Sequence, residues 1–304
     1  MTNRKHLVVI GGPTGIGKTT MSIQLANYFG IEIFSADSRQ FYKEMAIGTA
    51  KPTTQELDQA PHHFINNLSI ETPYSVGDYE RDVMAKLEEL YERYDVALLV
   101  GGSGMFIRAI CEGLDEFPDV PVAIKEKWNQ LFNQEGILPL QQALEEQDPT
   151  YFYEVDIHNP HRLIRALSVI EASGKPFSTF RQQSAKKRPF QPIYILLEMD
   201  RERLYERINL RVDQMVEQGL IEEAKTLHPN RHLNALQTVG YEELFRHFEG
   251  QYELSEAIEL IKRNTRRYAK RQMTWFRKRP HWNSFSPSDI NGVQQFLSQH
   301  FLAS

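Results

Sequence analysis

The sequence predicts an α/β protein: a mostly parallel sheet covered by helices, carrying a phosphate-binding loop and interrupted by a small helical insertion. Three observations carry this. Apolar runs alternate with stretches of helical periodicity, the mark of a parallel sheet with helices on both faces. "GGPTGIGKTT" (11–20) fits G-x-x-x-x-G-K-[ST] and sits between an apolar run and a helical segment. Between 115 and 190 the strand-helix alternation gives way to helix-rich, turn-punctuated sequence.

In chain order, "HLVVI" (6–10) reads as a buried strand, followed by the loop and a helix with Met21, Leu25 and Phe29 at four-residue spacing. "IEIFSAD" (31–37) reads as a second strand ending in an acid. A helix from about Tyr79 to Tyr94 carries Val83, Leu87, Leu90 and Tyr91 and leads into the strand "VALLV" (96–100). The P-loop core is therefore expected in two parts, 1–114 and 191–304, around an insertion domain at 115–190. "PIYILLEMD" (192–200) restores the strand pattern, and Leu204, Ile208 and Met215 mark the next helix. A last long helix, about 253–276, puts Leu254, Ile258, Ile261, Thr265, Tyr268 and Trp275 on one stripe. Arg263, Arg266, Arg267, Lys270 and Arg277 fall on the opposite face.

Composition bounds the function. An apolar fraction of 41% over 304 residues supports a proper core, and a single cysteine excludes an internal disulfide and a cysteine-based zinc site. The first twelve residues hold too short an apolar run for a signal peptide, and no run approaches the ~20 apolar residues of a membrane span. The expectation is a cytoplasmic protein with no membrane partner. The net charge of −5 hides an asymmetry: 262–279 holds nine Lys or Arg and no acid, leaving 26 basic residues against 40 acidic ones elsewhere. An acidic chain with one basic segment points to a local polyanion, nucleic acid before membrane.

Ligands on parallel sheets bind at the carboxyl ends of strands, so the loop, Asp37 and "GGSG" (101–104) should converge. In the loop, Gly12, Pro13, Thr14, Gly15, Ile16 and Gly17 supply backbone for phosphate oxygens, Lys18 supplies charge, and the Thr19 hydroxyl can ligate Mg²⁺. An enzyme hydrolysing a nucleotide usually has an aspartate after a later strand. Here "VALLV" ends in glycines and no acid follows until Glu112. Asp37, flanked by Ser38, Arg39 and Gln40, is the well-placed carboxylate; a turn-forming role competes with a catalytic one. Ser103 could bond a ligand. Arg207 and Arg211, four apart on one helix, either neutralise an anion or form a solvated face. His161, Arg162 and Arg165 flank a core stripe and are free for contacts, whereas the adjacent pair His62 and His63 reads as structural.

These segments resemble the tRNA dimethylallyltransferase family, the bacterial tRNA isopentenyltransferases. The residues that carry the resemblance are "GGPTGIGKTT", "SADSRQFYKEMAIGTAKPT", "YSVGDYERDV", "GGSGMFIRAI", "HRLIRALSVIEASGKPFS", "VGYEEL" and "TRRYAKRQMTWFRK", in consistent order from 8 to about 279. The resemblance implies transfer of a dimethylallyl group from dimethylallyl diphosphate to N6 of adenosine 37 in the tRNA anticodon stem-loop, with Mg²⁺. It makes the loop a pyrophosphate site, Asp37 the general base, and Lys18, Thr19 and Arg211 the groups that stabilise the leaving pyrophosphate. It places tRNA contacts at Asp37 to Gln40, at His161 to Arg165 and at Leu236 to Tyr241 (with Val239 and Gly240); Ser103 and the basic face, Arg263, Arg267 and Lys270, are expected to add to them. The base would be flipped out to enter a buried channel, with the insertion gripping the stem-loop. The protein is expected to work as a monomer. Two departures stand out: Ser103 where the family commonly has Thr, and Met105-Phe106 where it has Leu-Tyr. No C-terminal zinc-finger extension is read in the sequence.

Three competing readings share parts of this pattern. A relative prenylating free adenine nucleotides would have little use for the basic helix or the insertion. A small-molecule kinase would need the missing strand-end aspartate. A nonenzymatic RNA-binding protein would not need Lys18, Thr19 and Asp37 together.

Overall fold

The computed structural model describes residues 4–181, 186–279 and 281–302. They form two compact units, Glu112–Lys186 and the remainder of the chain on either side of it.

In the larger unit, continuous apolar runs become strands buried on both faces, as a parallel sheet requires. In order these are β1 (His6–Gly11), β2 (Ile33–Ser35), β3 (His62–His63), β4 (Val96–Gly101), β5 (Gln191–Leu197) and β6 (Asn283–Phe285), paired as β3–β2–β4–β1–β5–β6 with every pairing parallel. Alternation along β1 sends Val8 and Ile10 to one core, and Leu7 and Val9 to the other. The first core takes Met21 and Leu25 of α1 (Lys18–Phe29); the second takes Tyr79, Val83 and Leu87 of α3 (Val76–Tyr91). Between them α2 (Thr54–Leu57) starts on a Thr53–Glu56 capping box.

Local chemistry sets the ends of these elements. The α3 helix begins before Tyr79 because Ser75 and Asp78 form a capping box, and it ends at Tyr91 rather than Tyr94. The β2 strand is shorter than the apolar run: after Ala36 the chain turns, with Asp37 Oδ1 accepting the Arg39 amide at 3.0 Å. The α4 helix (Gly104–Glu112) buries Ile107 and Ile110, while Phe106 packs on Phe41 and Tyr79 at 5.7 and 5.0 Å between ring centres. That position needs no hydroxyl in this packing.

The smaller unit holds α5 (Val122–Glu135), α6 (Leu138–Gln147), α7 (Pro149–Glu154) and α8 (Pro160–Ser173). Trp128, Leu140, Leu144, Leu163, Leu167 and Phe177 form its core. Asp148, only 2% exposed, is satisfied by the Ser178 amide and hydroxyl at 2.7 and 2.8 Å and the Tyr151 amide at 3.1 Å.

Beyond β5 come α9 (Arg201–Glu217), α10 (Leu220–Leu227), α11 (Tyr241–Phe248), α12 (Leu254–Arg277) and α13 (Ile290–Leu302). A third core joins Leu220, Tyr241, Leu244 and Ile261 to Tyr42 and Met45 of the segment after β2. This packing brings the 45–50 segment beside α9 and α12, on the side of the sheet where the strands end. Among the described residues no helix is long and apolar enough to cross a membrane.

Candidate active site

The β1–α1 loop wraps as its glycines dictate. Gly15 and Gly17 hold φ of +80° and +107°, a backbone region that disfavours side chains, and Gly17 caps α1 with free amides at the helix start. Thr14, Gly15, Gly17, Lys18 and Thr19 line a polar cavity of about 440 Å³. Ile16 is fully buried and Gly12 and Pro13 are buried, so these three shape the loop without presenting side chains. Lys18 Nζ donates to the Gly12 and Pro13 carbonyls at 3.0 and 2.9 Å. Burial pushes its pKa down to about 8, Asp37 pulls it up, and Arg211 adds to the depression.

Arg207 and Arg211 both line this cavity, on the wall facing the loop. Arg207 Nε donates to the Gly15 carbonyl at 3.0 Å and Arg211 Nη2 to the Ala50 carbonyl at 3.2 Å. Burial lowers the Arg211 pKa and Asp37 opposes it. Lys51 and Glu56, which sequence reasoning passed over, stand on the same wall. The Lys51 ammonium bonds Tyr42 O and Asn66 Oδ1, and burial brings its pKa to about 8 against Glu223 and Glu44.

A second cavity of about 420 Å³ shares Thr14, Gly15, Asp37, Thr49, Ala50, Arg211 and Tyr268 with the first. Asp37 therefore faces both, with one oxygen on the Arg39 amide. Ile208, Val212, Met215, Leu220, Val239 and Ile261 make part of this wall apolar, and Ser38, Arg39, Gly240 and Arg271 also line it. The Arg39 guanidinium donates to Asn234 O and Gln237 O at 2.9 and 3.2 Å, tying the 234–237 turn to the site. Ser103 Oγ accepts the Ser38 amide at 3.4 Å and is hydrogen-bonded to the Tyr268 hydroxyl. Arg271, another residue not singled out in the sequence, stacks over Tyr268 at 5.6 Å.

Two expected contact residues are engaged by the scaffold. Gln40 lines the first cavity, yet its amide is engaged by Ser35 and by the Thr49 and Ala50 carbonyls. Tyr241 is fully buried, its hydroxyl donating to Glu223 at 2.7 Å, so it cannot face RNA; its hydrophobic ring belongs to the third core. Glu223 also accepts the Ala46, Ile47 and Gly48 amides at 3.0, 2.8 and 2.9 Å, clamping the segment that carries Ala50.

The α12 helix turns Arg263, Arg267, Lys270, Arg271 and Arg277 outward. The charge is less bare than the sequence suggests. Arg266 is half-buried and bonded to Asn209, Lys262 pairs with Asp213 and Glu259 at 2.8 and 3.0 Å, and Arg277 lies 3.9 Å from Glu198. Phe276 is 1% exposed and unavailable for stacking. Gln272, also missed, is the one polar residue buried on the inner stripe: Oε1 accepts the Thr14 amide at 2.9 Å and Nε2 donates to Gly102 O at 3.0 Å. In the smaller unit His161, Arg162 and Arg165 are all exposed on α8, and Arg165 lies 5.0 Å over the Phe117 ring. His62 and His63 form β3 and bond Ala60 O and Glu32, a structural arrangement.

A parallel sheet with a lysine loop at the end of β1, an aspartate at the end of β2 and glycines ending β4 defines a P-loop α/β protein. The family model for IPP transferase matches residues 40–279. The chain is 54% identical over 288 residues to a tRNA dimethylallyltransferase of Christiangramia forsetii, covering 94% of this chain and 95% of that protein. It is 47% identical to a tRNA dimethylallyltransferase of Flavobacterium johnsoniae, covering 99% of each. Its fold is similar to the full-length tRNA isopentenylpyrophosphate transferase of Bacillus halodurans (TM-score 0.74, 35% identity, 99% of this chain and 98% of that one). It is also similar to a eukaryotic dimethylallyltransferase acting on tRNA (TM-score 0.81, 26% identity, 97% and 77%). The chain belongs to the IPP transferase family, that of the tRNA dimethylallyltransferases.

Proposed function

We propose that the protein transfers a dimethylallyl group from dimethylallyl diphosphate to N6 of adenosine 37 in tRNA, beside the anticodon, and releases pyrophosphate. The observation that carries this is the shared wall: Asp37 faces both the phosphate-loop cavity and the partly apolar cavity next to it. A donor diphosphate in the first and an extruded base in the second would meet at that carboxylate. The names of the relatives support the choice of donor and acceptor.

In the reaction the N6–C1 bond forms as the C1–O bond to the diphosphate breaks. Asp37 takes the proton from N6. The charge growing on the leaving pyrophosphate meets the loop amides, the α1 dipole, Lys18, Arg207 and Arg211. Diphosphate arriving beside Lys18 stabilises the charge that burial disfavours. Mg²⁺ suits the donor set, since Thr19 offers a hard oxygen on the cavity wall. Among the described residues no three Asp, Glu, His or Cys side chains converge. Phosphate oxygens and water would complete the shell, as is usual for this ion, which would neutralise diphosphate charge. Arg263, Arg267 and Lys270 would hold RNA phosphates, and His161, Arg162 and Arg165 would add contacts from the smaller unit. The protein would act as a cytoplasmic monomer.

The test is incubation with unmodified tRNA, Mg²⁺ and dimethylallyl diphosphate, then digestion and mass analysis of the nucleosides. One C5 unit on the adenosine beside the anticodon is expected. Unmodified nucleosides, or prenylation of other positions, would overturn the reading.

A further inference from the structure

We infer that Gln272 is a positioning residue that fixes the phosphate loop in register with Asp37; the inference rests on the prenyl-transfer reading above. The side chain is 7% exposed and both ends of its amide are used: Oε1 on the Thr14 amide at 2.9 Å, Nε2 on the Gly102 carbonyl at 3.0 Å. These two partners belong to the two turns that meet at the strand ends. Thr14 stands in the loop that receives the diphosphate. Gly102 precedes Ser103, whose Oγ accepts the Ser38 amide, the residue next to Asp37. One amide therefore joins the donor loop to the turn that touches the general base segment, across 258 residues of sequence on one side and 170 on the other.

The site leaves that tether little redundancy. The Pro13 and Gly12 carbonyls are held by Lys18, which must divide its three donors between them and an incoming diphosphate. Gln272 also lines the first cavity, but both ends of its amide are committed to Thr14 and Gly102. The approach is also close: a Cβ at Gly102 would lie 2.2 Å from Gln272 Nε2, so the turn is bare there to admit the amide. In-line transfer depends on the distance between the leaving oxygen, C1 and the N6 proton acceptor, and a displacement of about 1 Å costs on the order of 10²-fold in rate. Losing the amide frees that distance, and the two hydrogen bonds removed are ones made to backbone, on Thr14 and Gly102.

The experiment compares parent and Gln272→Met, which keeps the length and removes both hydrogen bonds. Single-turnover transfer at saturating tRNA and dimethylallyl diphosphate is measured alongside binding of Mg²⁺-pyrophosphate and of tRNA. We expect the single-turnover rate to fall tenfold or more, with tRNA affinity within about twofold of the parent. Gln272→Glu, which keeps the acceptor for Thr14 and loses the donor to Gly102, should fall between the two, and it carries the test if Gln272→Met does not fold. A parent-like rate in either folded variant at saturation overturns the inference, as does a loss confined to tRNA KM. A parent that transfers no C5 unit refutes the function instead, so the two failures are told apart.

Discussion

Asp37 and Lys18 face one cavity from beyond the ends of β2 and β1, with β4 between them, and the carboxylate is the group that opposes the lysine's desolvation. The balance leaves Lys18 at about 8, so it is largely charged at neutral pH and loses that charge as the solution turns alkaline. This relationship sets the pH behaviour of donor binding. Below about pH 8 the lysine is already protonated and binding takes up no proton through it. Above that value the free protein is neutral at Lys18 while the diphosphate complex needs the charge, so one proton is taken up. Affinity for Mg²⁺-pyrophosphate should then fall by up to about tenfold per pH unit above the lysine pKa. Calorimetric titrations from neutral to alkaline pH check this, with Lys18→Met expected to bind weakly and without that slope.

Asp37 itself should separate chemistry from binding. Asp37→Asn keeps the size and the acceptor for the Arg39 amide, so the turn survives. Turnover should drop by roughly 10²–10⁴, the usual worth of a positioned base, at unchanged tRNA affinity. Near-normal turnover would take Asp37 out of the mechanism.

The clamp on the 45–50 segment predicts a stability effect away from the chemistry. Glu223 accepts three backbone amides and the Tyr241 hydroxyl. Glu223→Ala leaves those donors unmet and should cost about 2–4 kcal/mol, whereas Tyr241→Phe, losing one bond, should cost about 1 kcal/mol. Urea denaturation gives both values. Because Ala50 holds Arg211, the Glu223 variant should also raise the donor KM; an unchanged KM would mean that Arg211 keeps its place without the clamp.

Much of this was legible in the sequence where one chemistry dominates a short stretch. β1, β4 and β5 are unbroken apolar runs, and the loop's glycines, Lys18 and Thr19 sit within eight residues. β3 and β6 have two and three residues and no apolar run to announce them. The polar residues that escaped notice escaped for another reason. Gln272 sits on an apolar stripe, Glu223 lies among ordinary charged residues, and Lys51 stands alone in an uncharged turn-forming stretch. The partners of Gln272 and the 45–50 segment held by Glu223 are distant in the chain, so no local spacing encodes them. Tyr241 shows the converse: a segment matched to tRNA contact contains one residue that folding has placed in the core.

The basic helix divides into working and structural charge. Replacing Arg263, Arg267 and Lys270, all exposed, with Gln should weaken tRNA binding and flatten its salt dependence by about 0.7–0.9 unit of slope per lost phosphate contact. Arg266→Gln should leave the slope alone and lower stability through the lost bond to Asn209. An unchanged slope in the triple variant would make the outer face a solvated surface.

The most direct measurement of the central claim is product stoichiometry with purified protein. With Mg²⁺, unmodified tRNA and dimethylallyl diphosphate, the account predicts one pyrophosphate released per C5 unit joined to RNA. Adding ATP should have no effect, AMP at equal concentration should be a far poorer acceptor, and Lys18→Ala should abolish transfer. Orthophosphate or ADP produced from ATP, with no C5 unit on the tRNA, would contradict it.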